Sequence, residues 1–238
     1  MNQKKTILVV EDDAAVRRTI VRALERLPYN TLEVATCTDA LARIEVSNID
    51  LAVIDLGLPD ADGLDLVRKL QAYPSIGVLI LSGRHEPIDK VIGIEVGADD
   101  YLAKPFDSRE LAARIKNILR RMQPLPVAEA ASNNVYTFGG WKLFEHSHVL
   151  HDPTGRPVTI TSGEFALLLL FLKNPGRTLS RNQIMNGLYG DQSPAFDRSV
   201  DVRVGRLRRK ICLTKGEDTK IHTVRNVGYL FSTQVNGL

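Results

Sequence analysis

Leu51-Ala52-Val53-Ile54-Asp55-Leu56-Gly57-Leu58-Pro59 sets four apolar residues in front of a carboxylate and then two turn-formers. A short unbroken apolar run reads as a strand covered on both faces, as in a parallel sheet. Gly57 and Pro59 turn the chain, so Asp55 falls at the strand's C-terminal edge. Open α/β sheets bind ligands along that edge. An unpaired buried charge is costly, so a carboxylate there calls for a partner.

Three further stretches end in the same way. Thr6-Ile7-Leu8-Val9-Val10 runs into Glu11-Asp12-Asp13, Gly77-Val78-Leu79-Ile80-Leu81 into Ser82, and Asp100-Tyr101-Leu102-Ala103 into Lys104-Pro105-Phe106. Carboxylates, a hydroxyl and a lysine therefore converge on one sheet edge. Clustered carboxylates repel unless a cation joins them, and an oxygen-only ligand set suits Mg²⁺. A metal, an ammonium and a hydroxyl around a carboxylate make a site for receiving a phosphoryl group. Taken singly, Asp12, Asp13 or Asp55 reads better as a helix N-cap, Lys104 as a solvated lysine and Ser82 as a loop hydroxyl. The joint pattern favours the phosphoryl site.

At Glu11-Asp12, Asp55, Ser82 and Lys104-Pro105 the sequence resembles a response-regulator receiver domain. The resemblance implies that Asp55 accepts phosphate from a sensor histidine kinase. It also implies that Asp12, Asp55 and the Gly57 carbonyl bind Mg²⁺, with Glu11 acting through water. Lys104 then pairs with the phosphate, Ser82 hydrogen-bonds it, and Tyr101 swings inward behind Ser82.

The 238 residues are enough for two domains with separate cores. No apolar run approaches the ~20 residues of a membrane helix. The first residues, Met1-Asn2-Gln3-Lys4-Lys5, lead straight into a strand without a signal-peptide apolar region, and the two cysteines fall in different halves. These features fit a reducing cytoplasm and no membrane partner. The net charge of +3 is uneven, because the first half is slightly acidic and the second half carries the basic excess. An acidic half suits a metal and a phosphoryl donor, and a basic half suits nucleic acid.

Strand and helix patterns alternate through residues 1–122, which argues for a doubly wound parallel sheet of five strands, the flavodoxin-like arrangement. Helices are expected from Ala14 to Leu27, Asp39 to Ser47, after Gly63 to Gln71, Pro87 to Val96 and Ser108 to Met122, with the second strand near Thr31 to Ala35. Leu111, Ile115, Ile118 and Leu119 form the buried stripe of the last helix. Lys90, Asp99, Asp100, Glu110, Arg114 and Arg121 look like the dimer-face charges of the OmpR/PhoB subfamily. That resemblance implies the pairs Lys90–Glu110, Asp100–Arg114 and Asp99–Arg121 across a two-fold homodimer formed on phosphorylation. Exposed pairs contribute only ~0–1 kcal/mol each, so their role is partner choice and register.

Residues 123–134 contain two prolines and small or polar residues, and read as a linker. A flexible coil of that length spans ~20 Å.

Residues 135–238 read as short strands with turns at Gly139-Gly140 and Asp152 to Gly155, then three helices and a hairpin. The first helix opens on a capping box, Thr161-Ser162-Gly163-Glu164. The second is capped by Ser180, and the third spans about Arg198 to Ile211 with Val200, Val204, Leu207 and Ile211 inward. Arg198, Val202 and Arg209 lie on the opposite face with Arg206 beside them, as in a DNA-reading helix. Ile221 to Phe231 reads as the wing, with Arg225 near its tip. His146, His148 and His151 suggest a metal site, but alternating residues on an exposed strand share a face anyway and no Cys or fourth ligand is nearby, so no metal is expected there.

Arg198-Ser199-Val200-Asp201-Val202, Arg206-Leu207-Arg208-Arg209 and Thr223-Val224-Arg225-Asn226-Val227-Gly228-Tyr229 resemble the effector signatures of the same subfamily. The resemblance implies an α+β winged-helix domain that binds direct repeats in double-stranded promoter DNA. Its contacts come from Arg198, Val202, Arg206, Arg208, Arg209, Thr223 and Arg225. The Tyr189–Phe196 loop matches the subfamily's polymerase-contacting loop in position, which makes RNA polymerase a candidate partner. Gly205, where the subfamily commonly has a larger residue, removes one possible contact. Asn226 stands where glycine is usual, and asparagine tolerates the positive φ that the turn needs.

The expected function is a phosphorylation-controlled transcription regulator and not an enzyme. A phosphatase of the haloacid-dehalogenase type also uses a strand-end Asp, but usually carries a second Asp two residues on, where this chain has Gly57. A constitutive DNA-binding protein with an inert receiver is the other rival, and the intact acidic set argues against it.

Overall fold

The computed structural model describes residues 4–83, 87–122, 134–189, 199–212 and 220–237, with backbone alone at 87–91 and 199. The chain divides into two compact units at Arg121–Met122.

The first unit alternates strand and helix throughout. Its elements are β1 (Lys5–Val10), α1 (Ala14–Glu25), β2 (Tyr29–Val34), α2 (Cys37–Val46), β3 (Leu51–Asp55), α3 (Gly63–Leu70), β4 (Gly77–Ser82), α4 (Pro87–Val96), β5 (Asp100–Ala103) and α5 (Ser108–Met122). The strands form one parallel sheet in the order β2-β1-β3-β4-β5. Sequence order reverses beside β1, which makes the C-terminal ends of β1 and β3 a topological switch point. Val10 pairs with Ile54 and Asp55 with Leu81, so Glu11, Asp12 and Asp55 emerge side by side. β3 and β4 are buried along their whole length, as the gap-free apolar runs require.

Local capping explains where the helices begin. The Asp13 side chain accepts from the amides of Ala15 and Val16 and starts α1. Thr36 caps α2, which therefore begins at Cys37 and not at the expected Asp39. Asp60 accepts from the Cys37 and Thr38 amides as well, and these bonds hold its carboxyl down at about 2. Asp62 caps α3. α1 stops at Glu25, two residues short of the expected Leu27, because the residue before a proline is pushed out of the helical region. β2 starts at Tyr29, earlier than the expected Thr31, as a half-buried edge strand whose pattern is weak. Gly63 lets α3 start hard against β3, since a β carbon there would lie 2.2 Å from the Asp55 carbonyl oxygen.

The second unit comprises β6 (Val135–Phe138), β7 (Trp141–Phe144), β8 (Val149–His151), β9 (Pro157–Val158), α6 (Ser162–Leu172), β10 (Thr178–Ser180), α7 (Arg181–Tyr189), α8 (Ser199–Ile211), β11 (Ile221–Val224), β12 (Gly228–Phe231) and β13 (Val235–Gly237). One antiparallel sheet runs β13-β6-β7-β8-β9 and another β10-β12-β11. β10 and β13 were not expected. Both are short and gain their identity only from partners distant in sequence, β12 and β6. Trp141, Phe138, Phe171, Phe231, Val204 and Leu207 belong to one buried core. The Thr161–Glu164 capping box is complete. Asn226 adopts φ 60° in the hairpin turn, as its side chain permits.

Candidate functional site

At the sheet edge, Glu11, Asp12 and Asp55 each bring one carboxylate oxygen within 4.8 Å of the others. The first two follow the C-terminal end of β1, and the third is the last residue of β3. Lys104, just past β5, extends its ammonium into the cluster, 2.6 Å from Glu11 Oε2 and 3.0 Å from Asp55 Oδ1. Its peptide bond to Pro105 is cis. Burial pulls the Lys104 pKa down, but the bonds to Glu11 and Asp55 outweigh it and leave it raised, so the ammonium stays charged. Burial raises the Glu11 carboxyl, and the charge of Asp55 adds to this against the Lys104 bond. Glu11 Oε1 is buried without a hydrogen-bond partner. A cluster of hard oxygens with one orphaned acceptor fits a divalent cation such as Mg²⁺, which favours oxygen ligands and a few carboxylates. Exposed Gly57 lies two residues past Asp55, and a β carbon there would lie 3.4 Å from Asp55 Oδ2.

Ser82 ends β4, buried, and its carbonyl accepts from the Lys104 amide at 2.8 Å. Tyr101 is buried on β5 against Gly93 of α4, where a β carbon would meet the ring at 3.4 Å. The structure thus brings Glu11, Asp12, Asp55 and Lys104 together, with Ser82 at the end of the neighbouring β4 and Tyr101 within β5.

Two of the charges expected at a dimer face turn inward. Asp99 and Asp100 are buried. Asp99 accepts from the Val78 amide, and Asp100 accepts from the Tyr101 amide and from Arg114 at 2.7 Å. Arg114 also donates to Glu110, so the expected partner of Asp100 is already supplied within the chain. Arg121 Nε donates to the Asn117 carbonyl. The side chain of Lys90 lies outside the described residues.

On α8 the expected set divides. Arg209 is exposed and Val202 half-buried. Arg208 is half-buried and donates to the Ile221 carbonyl and to Thr223 Oγ1, both at 2.8 Å, which ties the helix to β11. Arg225 is exposed at the hairpin turn. Arg206 corrects its expectation, because it does not face outward. It is buried, with Nε 2.8 Å from Glu164 Oε1. Lys210 joins the same carboxylate at 2.6 Å. Burial opposes the charge on Glu164, but Arg206 and Lys210 outweigh it and hold the carboxyl below its ordinary range. A β carbon on Gly205 would meet nothing within 4 Å, so packing does not demand the glycine. Arg198 and nearly all of the Tyr189–Phe196 loop lie outside the described residues.

Sequence reading missed a polar knot beside this helix. Asp201 Oδ1 accepts from the Tyr229 hydroxyl at 2.6 Å and from Arg181 Nε at 2.8 Å. Arg181 and Arg208 both lie over the Tyr229 ring, at 5.2 and 5.5 Å. The three parts of the knot come from α7, α8 and β12, and no local spacing signals it. Of the histidines, His148 stacks on Phe165 and His151 meets the edge of Phe144. Among the described residues the acidic trio is the one group arranged to hold a metal ion.

Comparison with known proteins agrees with this geometry. The family model for the response regulator receiver domain matches residues 7–116, and that for the C-terminal domain of transcriptional regulatory proteins matches residues 155–231. The transcriptional regulatory protein AruR of Pseudomonas aeruginosa is 38% identical over 95% of this chain and 95% of its own length. The aerobic respiration control protein ArcA of Escherichia coli is 33% identical over 96% of this chain and 97% of its own. Among solved structures, DrrB, a Thermotoga maritima OmpR/PhoB homologue, is 26% identical, with a TM-score of 0.51 over 97% of this chain and all of its own. A mutant of RitR shares the fold at a TM-score of 0.75, with 97% of this chain and all of its own covered at 24% identity. No helix among the described residues is long and apolar enough to cross a membrane. A phosphorylation-regulated receiver joined to a DNA-binding winged helix, a regulator and not a conventional enzyme, is what the sequence, fold and relatives describe together, and the chain belongs to the OmpR/PhoB family of two-component response regulators.

Proposed function

We propose that Asp55 is the phosphoacceptor of a cytoplasmic switch that a sensor histidine kinase drives. The observation that carries this reading is the Lys104 ammonium, 3.0 Å from Asp55 Oδ1 and 2.6 Å from Glu11 Oε2, beside an acidic trio. Asp55 forms the new P–O bond as the donor's P–N bond breaks, and the departing imidazole takes up a proton. Asp12, Asp55 and the Gly57 carbonyl would hold Mg²⁺, with Glu11 acting through water. When bound, the ion offsets the negative charge shared by the phosphoryl oxygens and the acidic residues. Lys104 exchanges its carboxylate partner for the phosphate, and Ser82 donates a hydrogen bond to it. Tyr101 packs behind Ser82.

The added charge of about −1.5 to −2 must be accommodated by that edge of the sheet. Repacking there alters the face formed by α4, β5 and α5. On this reading Asp99, Asp100, Glu110, Arg114 and Arg121, with Lys90, then form a two-fold homodimer, for which Arg114 exchanges its intrachain partners. Residues 123–134 act as the linker between the receiver at 1–122 and the effector at 135–238. Two effector domains bind adjacent direct repeats, with Arg198, Val202 and Arg209 at the DNA and Arg208, Thr223 and Arg225 contributing from the helix end and wing. RNA polymerase is the partner suited to the Tyr189–Phe196 loop.

Exposure to acetyl phosphate and Mg²⁺, followed by mass spectrometry, tests the reading. Phosphate is expected on Asp55, and on no other residue after Asp55→Asn. Sedimentation of the same samples should show the wild type shifting toward dimer. Absence of label on Asp55 rejects the proposal.

A further inference from the structure

The acidic turn is held from behind by a residue that no role above uses. Arg17, half-buried on α1, donates from Nη1 to the Glu11 carbonyl at 2.6 Å and to the Asp12 carbonyl at 3.1 Å. Its Nε lies 3.5 Å from Glu33 of β2. The Glu11 amide meanwhile donates to the Val34 carbonyl, and Asp13 is occupied as the α1 cap. Backbone torsions at Glu11 and Asp12 decide where their carboxylates point. A guanidinium clamped on both carbonyls restrains those torsions.

We propose that Arg17 is a positioning residue, whose clamp on the consecutive carbonyls of Glu11 and Asp12 keeps both carboxylates aimed at Asp55 and so sets the affinity for the divalent cation. The inference rests on the metal site proposed above. Outer partners of metal ligands commonly change affinity by about 10–100-fold. Arginine suits the task because its planar group reaches both carbonyls through Nη1 while Nε lies toward Glu33, whereas a lysine ammonium is a point charge on a flexible stem.

The sign of the effect separates positioning from simple electrostatics. Removing a positive charge near a cation site favours the cation by Coulomb's law. Loss of the clamp does the opposite. The full chain is titrated with Mn²⁺ as the probe, with free ion counted by electron paramagnetic resonance. Arg17→Met and Arg17→Lys are expected to weaken binding by about ten-fold or more. Arg18→Met, which removes the same charge from an exposed neighbour, is expected to leave binding unchanged or slightly tighter. Acetyl phosphate labelling of Arg17→Lys should recover to the wild-type extent at saturating Mg²⁺, because the acceptor itself is intact. Circular dichroism checks folding, and if Arg17→Met does not fold, Arg17→Lys decides. Wild type that binds no Mn²⁺ overturns the metal reading itself. Wild type that binds, with Arg17 variants binding as tightly or more tightly, overturns the positioning role alone.

Discussion

Arg206 Nε donates to Glu164 Oε1 at 2.8 Å, in the interior between α8 and α6. Removing one partner of a buried pair leaves the other charge uncompensated, at a cost of ~3–5 kcal/mol. Arg206→Ala should destabilise the effector domain by that order. The chain's single tryptophan, Trp141, is buried in this domain's core, so its fluorescence follows the transition directly. At temperatures where the variant is folded, the salt dependence of its DNA binding should match wild type, because no phosphate contact has been removed.

The same carboxylate makes the effector sensitive to acid. Arg206 and Lys210 lower the Glu164 pKa in the folded state despite the opposing effect of burial. A lowered folded value means the stabilisation is fully present above the ordinary 4.5 and is lost as pH falls through the folded value. The Trp141 unfolding midpoint should hold between pH 7 and about 5 and decline below that. Glu164→Gln should start lower and show a shallower acid slope.

Lys104 is the cation that the acidic pocket already holds. Lys104→Met leaves Glu11 buried beside Asp55 without its ion partner and, on the proposed mechanism, removes the group that would meet the phosphoryl oxygens. The phosphodonor-driven gain in dimer association, read by sedimentation, should fall by about ten-fold or more, ~1.4 kcal/mol.

Gly63 sits where α3 touches the backbone of Asp55. A β carbon would lie 2.2 Å from the Asp55 carbonyl oxygen and 2.8 Å from Leu56 Cα, so backbone must move. Gly63→Ala should cost ~1–3 kcal/mol or more in receiver stability. Circular dichroism should show an earlier receiver transition, while the Trp141 signal from the effector stays in place.

Arg225 stands exposed at the wing tip and Arg209 exposed on α8. If each meets a phosphate, alanine at either position should weaken binding similarly across sequences and reduce the salt slope by about one. Titrations at several salt concentrations measure both effects.

The first unit was legible almost element by element. Its strands are unbroken apolar runs and its turns carry Asp, Gly or Pro, signals that are local. Helix ends shifted by a residue or two where Thr36 capped earlier or Pro28 intervened. β10 and β13 were missed, since short strands have no local period strong enough to announce them.

By itself, the sequence determined the order of elements in the first unit and the meeting of Glu11, Asp55 and Lys104, although 93 residues separate Glu11 from Lys104. Parallel strands bring their C-terminal ends to one edge, so a chemical group placed after each strand is located by topology alone. Only the tertiary structure decided which charges turn inward. Asp99, Asp100, Arg203 and Arg206 all look solvated in a string of letters, yet all are buried. A charge enters the interior where packing supplies it with compensating partners. For Arg206 that partner is Glu164, 42 residues away on another helix, and no local period records which helix face it will meet.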